Sequence, residues 1–348
     1  MTLQDKPRRL AGFSAFFGFF LLFTGCIRAE SSQSDIVLGT VCTVQLFREA
    51  KTGIYREIFS RFREIEAMMS ANLADSDISA VSGGAGIAPV RVHPEVLDVV
   101  ESALRYAGLS EGAFDPSVGP LVKLWNIGGD DARLPGEDEI RETLPLVNWR
   151  DIVVDREAGT IYLRQPGMML DLGGIAKGYA ADEAVRIIRK YRIKRAIIDL
   201  GGNVFAYGEK AGKWPWQKLP WRIGIQNPLE NRGQYFAVME LRNKTAVTSG
   251  IYERFLEVDG TRYHHILSTK SGYPVESPFL SVTIIADRSM EADALSTAVF
   301  ALGWEKGAAL VESLGGIGAI FVFDDLSVRC AGGAENSFAL TDPLYRLE

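Results

Sequence analysis

Cysteine and histidine are both scarce, with three of each in 348 residues. Cys42 and Cys330 have no CxxC spacing and are too few for a framework of bridges, which excludes a disulfide scaffold, a zinc knuckle and a dithiol redox motif; both read as small buried hydrophobes. Runs of positive charge are missing too. The formal net charge is −6, and the one basic cluster, Arg186 to Arg195, alternates with apolar residues as an amphipathic helix would. That balance excludes a nucleic-acid partner bound through its phosphates. No repeat, low-complexity block or linker divides the chain, so one domain of mixed α+β order is expected.

Absent, too, is an apolar run suited to span a bilayer: Leu10 to Phe23 is too short. It follows Lys6, Arg8 and Arg9 and ends in Thr24-Gly25-Cys26, the layout of a targeting segment. Thr-Gly-Cys after such a run looks like a bacterial lipobox. On that reading residues 1–25 are a signal peptide, Cys26 carries the lipid, residues 26–35 form a tether containing Ser31-Ser32-Gln33-Ser34, and residues 36–348 are the working domain. The expected location is then the periplasmic side of a bacterial inner membrane. An ordinary cleaved signal peptide stays open, because Phe23 stands where lipoboxes usually carry Leu.

What is present begins with periodicity. Val37 to Phe47 reads as a strand interrupted at Gly39, and Ile54, Ile58, Phe62, Ile65 and Met69 recur at helical spacing. Pro94 to Leu109 is expected to be a helix, with His93 at its entry. Gly112 to Gly136 has little periodicity and is long enough to carry function. Met168 to Leu172 is strand-like and leads through Gly173-Gly174 to a helix Ala180 to Lys190, and Ala196 to Leu200 is a strand ending in Gly201-Gly202. Short strands from Trp221 to Ser268 suggest an antiparallel meander. The strands Leu280 to Ala286 and Ala319 to Phe323 flank helices from Ala292 and Glu305.

Four constellations bear on chemistry. Asp171-Leu-Gly-Gly-Ile-Ala-Lys-Gly-Tyr179 joins a strand to a helix through glycines, which lets backbone N–H groups approach a phosphate, although a plain tight turn would look the same. Its spacing is neither Walker nor GxGxxG. Asp293 and Thr297 lie four apart on a helix, so a carboxylate and a hydroxyl share one face and could hold one hard cation; a solvated helix face is the alternative. His264-His265 sit in a strand-like stretch, where at most one ring can point into a given cleft. Phe114-Asp115-Pro116 places an aromatic and a carboxylate in the irregular stretch, a lining suited to a planar heterocycle or a loop that caps the core. Thr248-Ser249-Gly250 lacks the order of a Ser/His/Asp nucleophile elbow, so a serine hydrolase is not read.

In this order the pieces resemble the FAD:protein FMN transferase (ApbE) family. The resemblance runs from Leu38-Gly-Thr40 through Phe114-Asp-Pro-Ser-Val-Gly-Pro120, Asp171 to Tyr179, Leu200-Gly-Gly-Asn203, Thr248-Ser-Gly250 and His264-His-Ile266 to Ala292-Asp-Ala-Leu-Ser-Thr297, nearly the whole chain after the leader. It implies a T-fold-like α+β domain around an FAD cleft. It further implies Mg²⁺ held by Asp293, Thr297 and the carbonyl of Ala176, and His265 as the base that takes a proton from a Thr or Ser hydroxyl of an acceptor flavoprotein. The acceptor expected is a membrane or periplasmic redox subunit. Leu38, Asn72, Phe114, Asp115, Pro116, Asp171, Gly173, Lys177, His265 and Ile266 are the implied flavin-nucleotide contacts.

Three departures accompany it. Ser268-Thr-Lys-Ser-Gly272 stands where the family often has Asp-Pro-Arg-Thr-Gly, Leu38 where Met is common, and Asn72 where many members carry an adenine-stacking aromatic. Losing that ring removes of order 0.5–1.5 kcal/mol of stacking, which leads to the expectation that water competes as acceptor and that FAD is also hydrolysed to FMN and AMP. A flavin-storing surface lipoprotein without turnover is the alternative, and it would need no cation at the phosphates.

Overall fold

The structure is a computed structural model that describes residues 31–47, 52–214 and 216–348. The expected leader and Cys26 lie outside the described residues. Among those described, no helix is long and apolar enough to cross a membrane.

A nine-stranded sheet organises the molecule, in the order Ser31–Val37, Thr40–Leu46, Ala196–Leu200, Asn203–Tyr207, Lys244–Gly250, Phe279–Ala286, Gly318–Phe323, Ser327–Ala331, Arg346–Leu347. Every pairing is antiparallel except the last, which is parallel. Successive side chains of a strand face opposite ways, and here both faces are covered. In Gly318–Phe323, Ala319, Phe321 and Phe323 join one apolar core while Ile320 and Val322 join another.

The first core lies under helices. These are α1 (Thr52–Met69), α2 (Asp77–Gly83), α3 (Pro94–Leu109), α6 (Ala176–Lys190), α7 (Ser289–Leu302) and α8 (Trp304–Leu314), while α4 (Gly119–Trp125) and α5 (Glu137–Thr143) pack around a smaller core of Leu121, Trp125, Ile140 and Leu267. On α1 the buried residues Ile54, Ile58, Phe62, Ile65 and Met69 follow the helical spacing read from the sequence. α3 has the expected bounds, and His93 caps it, its Nδ1 accepting from the Glu95 N–H at 3.3 Å. The second core lies under a three-stranded sheet of Trp221–Gln226, Tyr235–Leu241 and Phe338–Leu340.

Five expectations need correction. The stretch Ser31 to Asp35 is no free tether: it pairs with Leu46 to Cys42 as the outer strand of a hairpin whose turn is Leu38-Gly39. Met168 to Leu172 is not a strand and makes only an isolated bridge, Val118 to Met169. α6 opens at Ala176 rather than Ala180, and the irregular stretch contains α4. The supposed meander is divided, since Trp221–Gln226 and Tyr235–Leu241 form the small sheet, Lys244–Gly250 enters the large one, and Phe255–Val258 pairs with Thr261–His264.

Candidate functional site

At one end of the large sheet two hairpin turns and the end of a strand converge. Leu38 and Gly39 close the first hairpin with φ of 57° and 68°, a two-residue turn that is unstrained for glycine and costly for leucine. The Leu38 N–H donates to Glu66 at 2.8 Å. Gly201 and Gly202 close the next hairpin, also at positive φ, and a Cβ on Gly201 would meet Thr40 Oγ1 at 2.2 Å. The Gly202 carbonyl accepts from the Thr248 N–H at 3.3 Å, which brings Thr248-Ser249-Gly250 to the same end.

α6 and α7 cross above these turns, and glycine sets how closely. A Cβ on Gly178 would lie 2.3 Å from the Ser289 carbonyl oxygen, so only glycine permits the approach. Asp182 of α6 accepts from the first N–H groups of α7, those of Ser289 at 2.8 Å and Met290 at 3.2 Å, and so caps the neighbouring helix from outside. The result brings Asp293 onto the start of α6. Its Oδ2 accepts from the Gly178 N–H at 2.8 Å, and its Oδ1 stands 3.9 Å from Lys177 Nζ. Lys177 Nζ donates to the Gly173 carbonyl at 2.7 Å. Asp293 is buried, and burial pushes its pKa up against the pull of Lys177 and the Gly178 N–H.

Thr297, one turn on, lies beside the glycine segment: a Cβ on Gly174 would sit 3.3 Å from Thr297 Oγ1 and 3.1 Å from Phe114 Cε2. Among the described residues no three His, Cys, Asp or Glu side chains cluster as a metal site. Asp293 and Thr297 supply one carboxylate and one hydroxyl, and Ala176 lies at the first position of α6. A cation there would take its remaining oxygens from backbone and ligand, which suits Mg²⁺ better than zinc.

The loop Phe114-Asp115-Pro116 is fixed from within. Asp115 Oδ1 accepts from the Ser117 N–H and hydroxyl at 2.8 and 2.6 Å, and its Oδ2 from the Trp149 N–H at 2.9 Å. Burial raises its pKa despite these bonds. Its carboxylate therefore holds the loop that presents Phe114. The Pro116 carbonyl accepts from the Asp171 N–H at 2.8 Å, and Asp171 Oδ1 accepts from the Gly173 N–H at 2.7 Å, tying this loop to the glycine turn.

The strand Thr261–His264 ends at the first histidine, so the expected alternation does not extend to His265, which lies just past it. His264 turns inward, with Nε2 3.0 Å from the Val275 carbonyl and Nδ1 accepting from the Ile266 N–H at 3.2 Å. His265 faces the other way, and its Nδ1 lies 3.2 Å from the Arg254 carbonyl. A carbonyl only accepts, so Nδ1 carries the proton and Nε2 keeps its lone pair. The surrounding protein lowers the pKa of His265 to about 4, chiefly by desolvation of the cation, with Arg254 and Lys177 adding repulsion. Lys177 is thus within electrostatic reach of both His265 and Asp293. Ile266 is buried beneath the pair. Asn72 is exposed in the turn after α1, with its N–H on Ser70 Oγ at 3.2 Å, and makes no side-chain bond to the rest of the set.

Two features escaped sequence reasoning. Arg254 holds His265 through its carbonyl and reaches the Gly39 carbonyl with Nη2 at 3.2 Å, but it sits in no motif. Ser268, at the position of the missing acid, accepts from the N–H groups of Lys270 and Ser271 at 3.3 and 3.2 Å, so its hydroxyl supplies the turn-forming acceptor that Asp would supply.

The ApbE family profile matches residues 38–321. A protein named FAD:protein FMN transferase from Treponema pallidum is 39% identical over 331 residues, covering 92% of this chain and 91% of its own. One of the same name from Klebsiella pneumoniae is 33% identical, over 91% and 96%. Among solved structures, the ApbE protein of Thermotoga maritima superposes with a TM-score of 0.79 at 31% identity, over 87% of this chain and 97% of its own. The flavin transferase ApbE of Vibrio cholerae gives 0.75 at 27%, over 89% and 96%.

Proposed function

The chain belongs to the ApbE family and is an FAD:protein FMN transferase, and from that premise we propose how it works: an acceptor hydroxyl attacks the FAD phosphorus nearer the riboflavin. The new P–O bond forms as the pyrophosphate P–O–P bond breaks, the electron pair departs on AMP, and FMN stays on the acceptor's Thr or Ser as a phosphodiester. The observation that carries this reading is the convergence of Lys177, Asp293 and Thr297 on the Asp171–Gly174 turn, within electrostatic reach of a histidine whose Nε2 is unprotonated.

His265 Nε2 takes the proton of the attacking hydroxyl, and the Arg254 carbonyl holds the ring in the tautomer that can do so. Lys177 sets positive charge over the glycine turn, where the phosphates would lie. Phe114 offers an apolar face beside Gly174. Asp293, Thr297 Oγ1 and the Ala176 carbonyl would hold Mg²⁺; Asp293 Oδ1 accepts no hydrogen bond, and Thr297 Oγ1 has no protein partner among the described residues, which supports a cation between them. When bound, that ion would neutralise the pyrophosphate oxygens.

With no acceptor bound, water takes its place and FAD yields FMN and AMP. Asn72 supports this slower outcome, because its amide offers adenine no ring. We further propose a lipid on Cys26 and work on the periplasmic side of the inner membrane, with a membrane or periplasmic redox subunit as acceptor.

The test is to incubate the purified protein with FAD and follow AMP and FMN by chromatography, with and without Mg²⁺. AMP release that needs Mg²⁺, stops with EDTA and is lost in Asp293→Ala is the expected result. FAD that binds and stays intact under every condition would favour flavin storage instead.

A further inference from the structure

At the end of the sheet away from the site, a hairpin stands clear of the body. Lys210–Ala211 pairs with Lys218–Leu219, and the turn is closed by the Gly212 N–H on the Gln217 carbonyl at 2.9 Å and the Gln217 N–H on the Trp214 carbonyl at 2.9 Å. At its tip Trp214 and Trp216 stack with rings 5.6 Å apart and 7° from parallel. They are 55% and 76% exposed, and Leu219 beside them 38%. Large apolar side chains held this far into water mark a surface that something covers.

Charge and position say what. Lys210, Lys213 and Lys218 flank the tryptophans, and Arg192 and Lys194 are exposed where the neighbouring strand begins. Glu209 pairs with Lys218 and Arg242, but among the described residues Arg192, Lys194, Lys210 and Lys213 make no ion pair. Tryptophan between unpaired cations matches a bilayer interface with anionic headgroups, where the indole sits at headgroup level and the ammonium groups meet phosphate.

Register supplies the second line of evidence. Ser31 pairs with Leu46, Leu46 with Ala196, and Ala196 with Tyr207, so these four form one row across the sheet. Tyr207 ends its strand just before the hairpin, and Ser31 is where residues 1–30, with their apolar run, enter the domain. Three strand spacings, about 14 Å, separate the two points.

We propose that the Trp214/Trp216 hairpin inserts into the headgroup region of an anionic phospholipid bilayer, giving the domain a second contact beside the entry of residues 1–30. The site, at the opposite end of strands about 20 Å long, then faces away from the lipid.

The full chain in vesicles tests this, because residues 1–30 contain no tryptophan. Vesicles of phosphatidylcholine and phosphatidylglycerol are made with plain or brominated acyl chains; flotation reports whether the chain is held at all, and tryptophan emission reports contact. The expected result is emission quenched by brominated lipid, with the quenching lost in Trp214→Ala/Trp216→Ala although that variant still floats. Lys210→Glu/Lys213→Glu/Lys218→Glu should weaken the quenching about tenfold in its phosphatidylglycerol dependence. A chain that floats with no quenching, or with equal quenching in the tryptophan variant, would overturn the proposal while leaving anchoring through residues 1–30 intact. Parent emission indifferent to lipid, together with loss of FMN transfer to a soluble acceptor without vesicles in the tryptophan variant, would assign the hairpin to a protein partner and also overturn it. AMP release enters none of the lipid readouts, so failure of the transferase mechanism would show separately.

Discussion

At the scale of single residues the proposed chemistry turns on His265 and Asp293. His265→Gln keeps the hydrogen-bonding shape and loses the base, so kcat should fall by about 10²–10⁴ while FAD binding is retained, measurable by steady-state kinetics beside a flavin titration. Its lowered pKa also carries a sign for stability. The unfolded chain binds a proton at His265 near its ordinary 6.5 and the folded chain only near 4, so the fold loses stability as pH falls between those values. His264, whose pKa burial also lowers, acts in the same sense. Asp115, Asp182 and Asp293, raised by burial, act in the opposite sense, and comparing variant with parent cancels them. Urea unfolding at pH 7 and 4.5 should therefore show a smaller acid loss for His265→Gln than for the parent; equal losses would place the histidine in a solvated, unperturbed setting. Asp293→Asn should leave folding nearly unchanged, since its oxygen can still accept from Gly178, yet cut Mg²⁺-dependent AMP release by about 10²-fold or more, in line with the several kcal/mol a cation supplies. Spacing singles out the adjacent histidines and the i,i+4 pair of Asp293 and Thr297, while the choice of His265 and the roles of both residues come from the resemblance. Arg254 is singled out by neither, because it acts through a backbone carbonyl that any residue type could present.

Elements show where local pattern stops informing. α1 and α3 were readable because an apolar stripe and an N-terminal Pro are local signals. Local pattern starts α6 four residues late: Gly178 in its first turn argues against helix by propensity, but the Ser289 carbonyl pressed against it demands glycine, and packing prevails. Gly178→Ala should push α6 from α7, lowering stability by about 1–3 kcal/mol and separating Lys177 from Asp293, so that activity falls beyond what the melting temperature explains. The strands between Trp221 and His264 were legible as strands, while their division among three sheets was not, since alternation names a face and not a partner. Asp182 capping α7 across a helix interface was invisible for the same reason. Asp182→Ala should cost about 1 kcal/mol of unfolding free energy, as loss of a cap does, and shift the melting temperature by a few degrees.

For the whole molecule, the sheet is a spacer with different chemistry at its two ends. Residues from Leu38 to Thr297 gather at one end because hairpin turns return the chain there repeatedly, and such long-range convergence cannot be counted off from spacing. The order of motifs along the chain carried that information instead, through resemblance, and the ApbE structures share the fold. Entry of the chain at the other end, next to exposed tryptophans and lysines, leaves the site open to an acceptor from the far side. The central claim is covalent transfer, and its most direct measurement is the intact mass of an acceptor peptide bearing Thr and Ser hydroxyls after incubation with this protein, FAD and Mg²⁺. The account predicts a gain of one FMN phosphodiester on the peptide, matched by one AMP and absent with Asp293→Asn; FAD consumed to free FMN and AMP with the peptide and a full redox subunit both unmodified would contradict it.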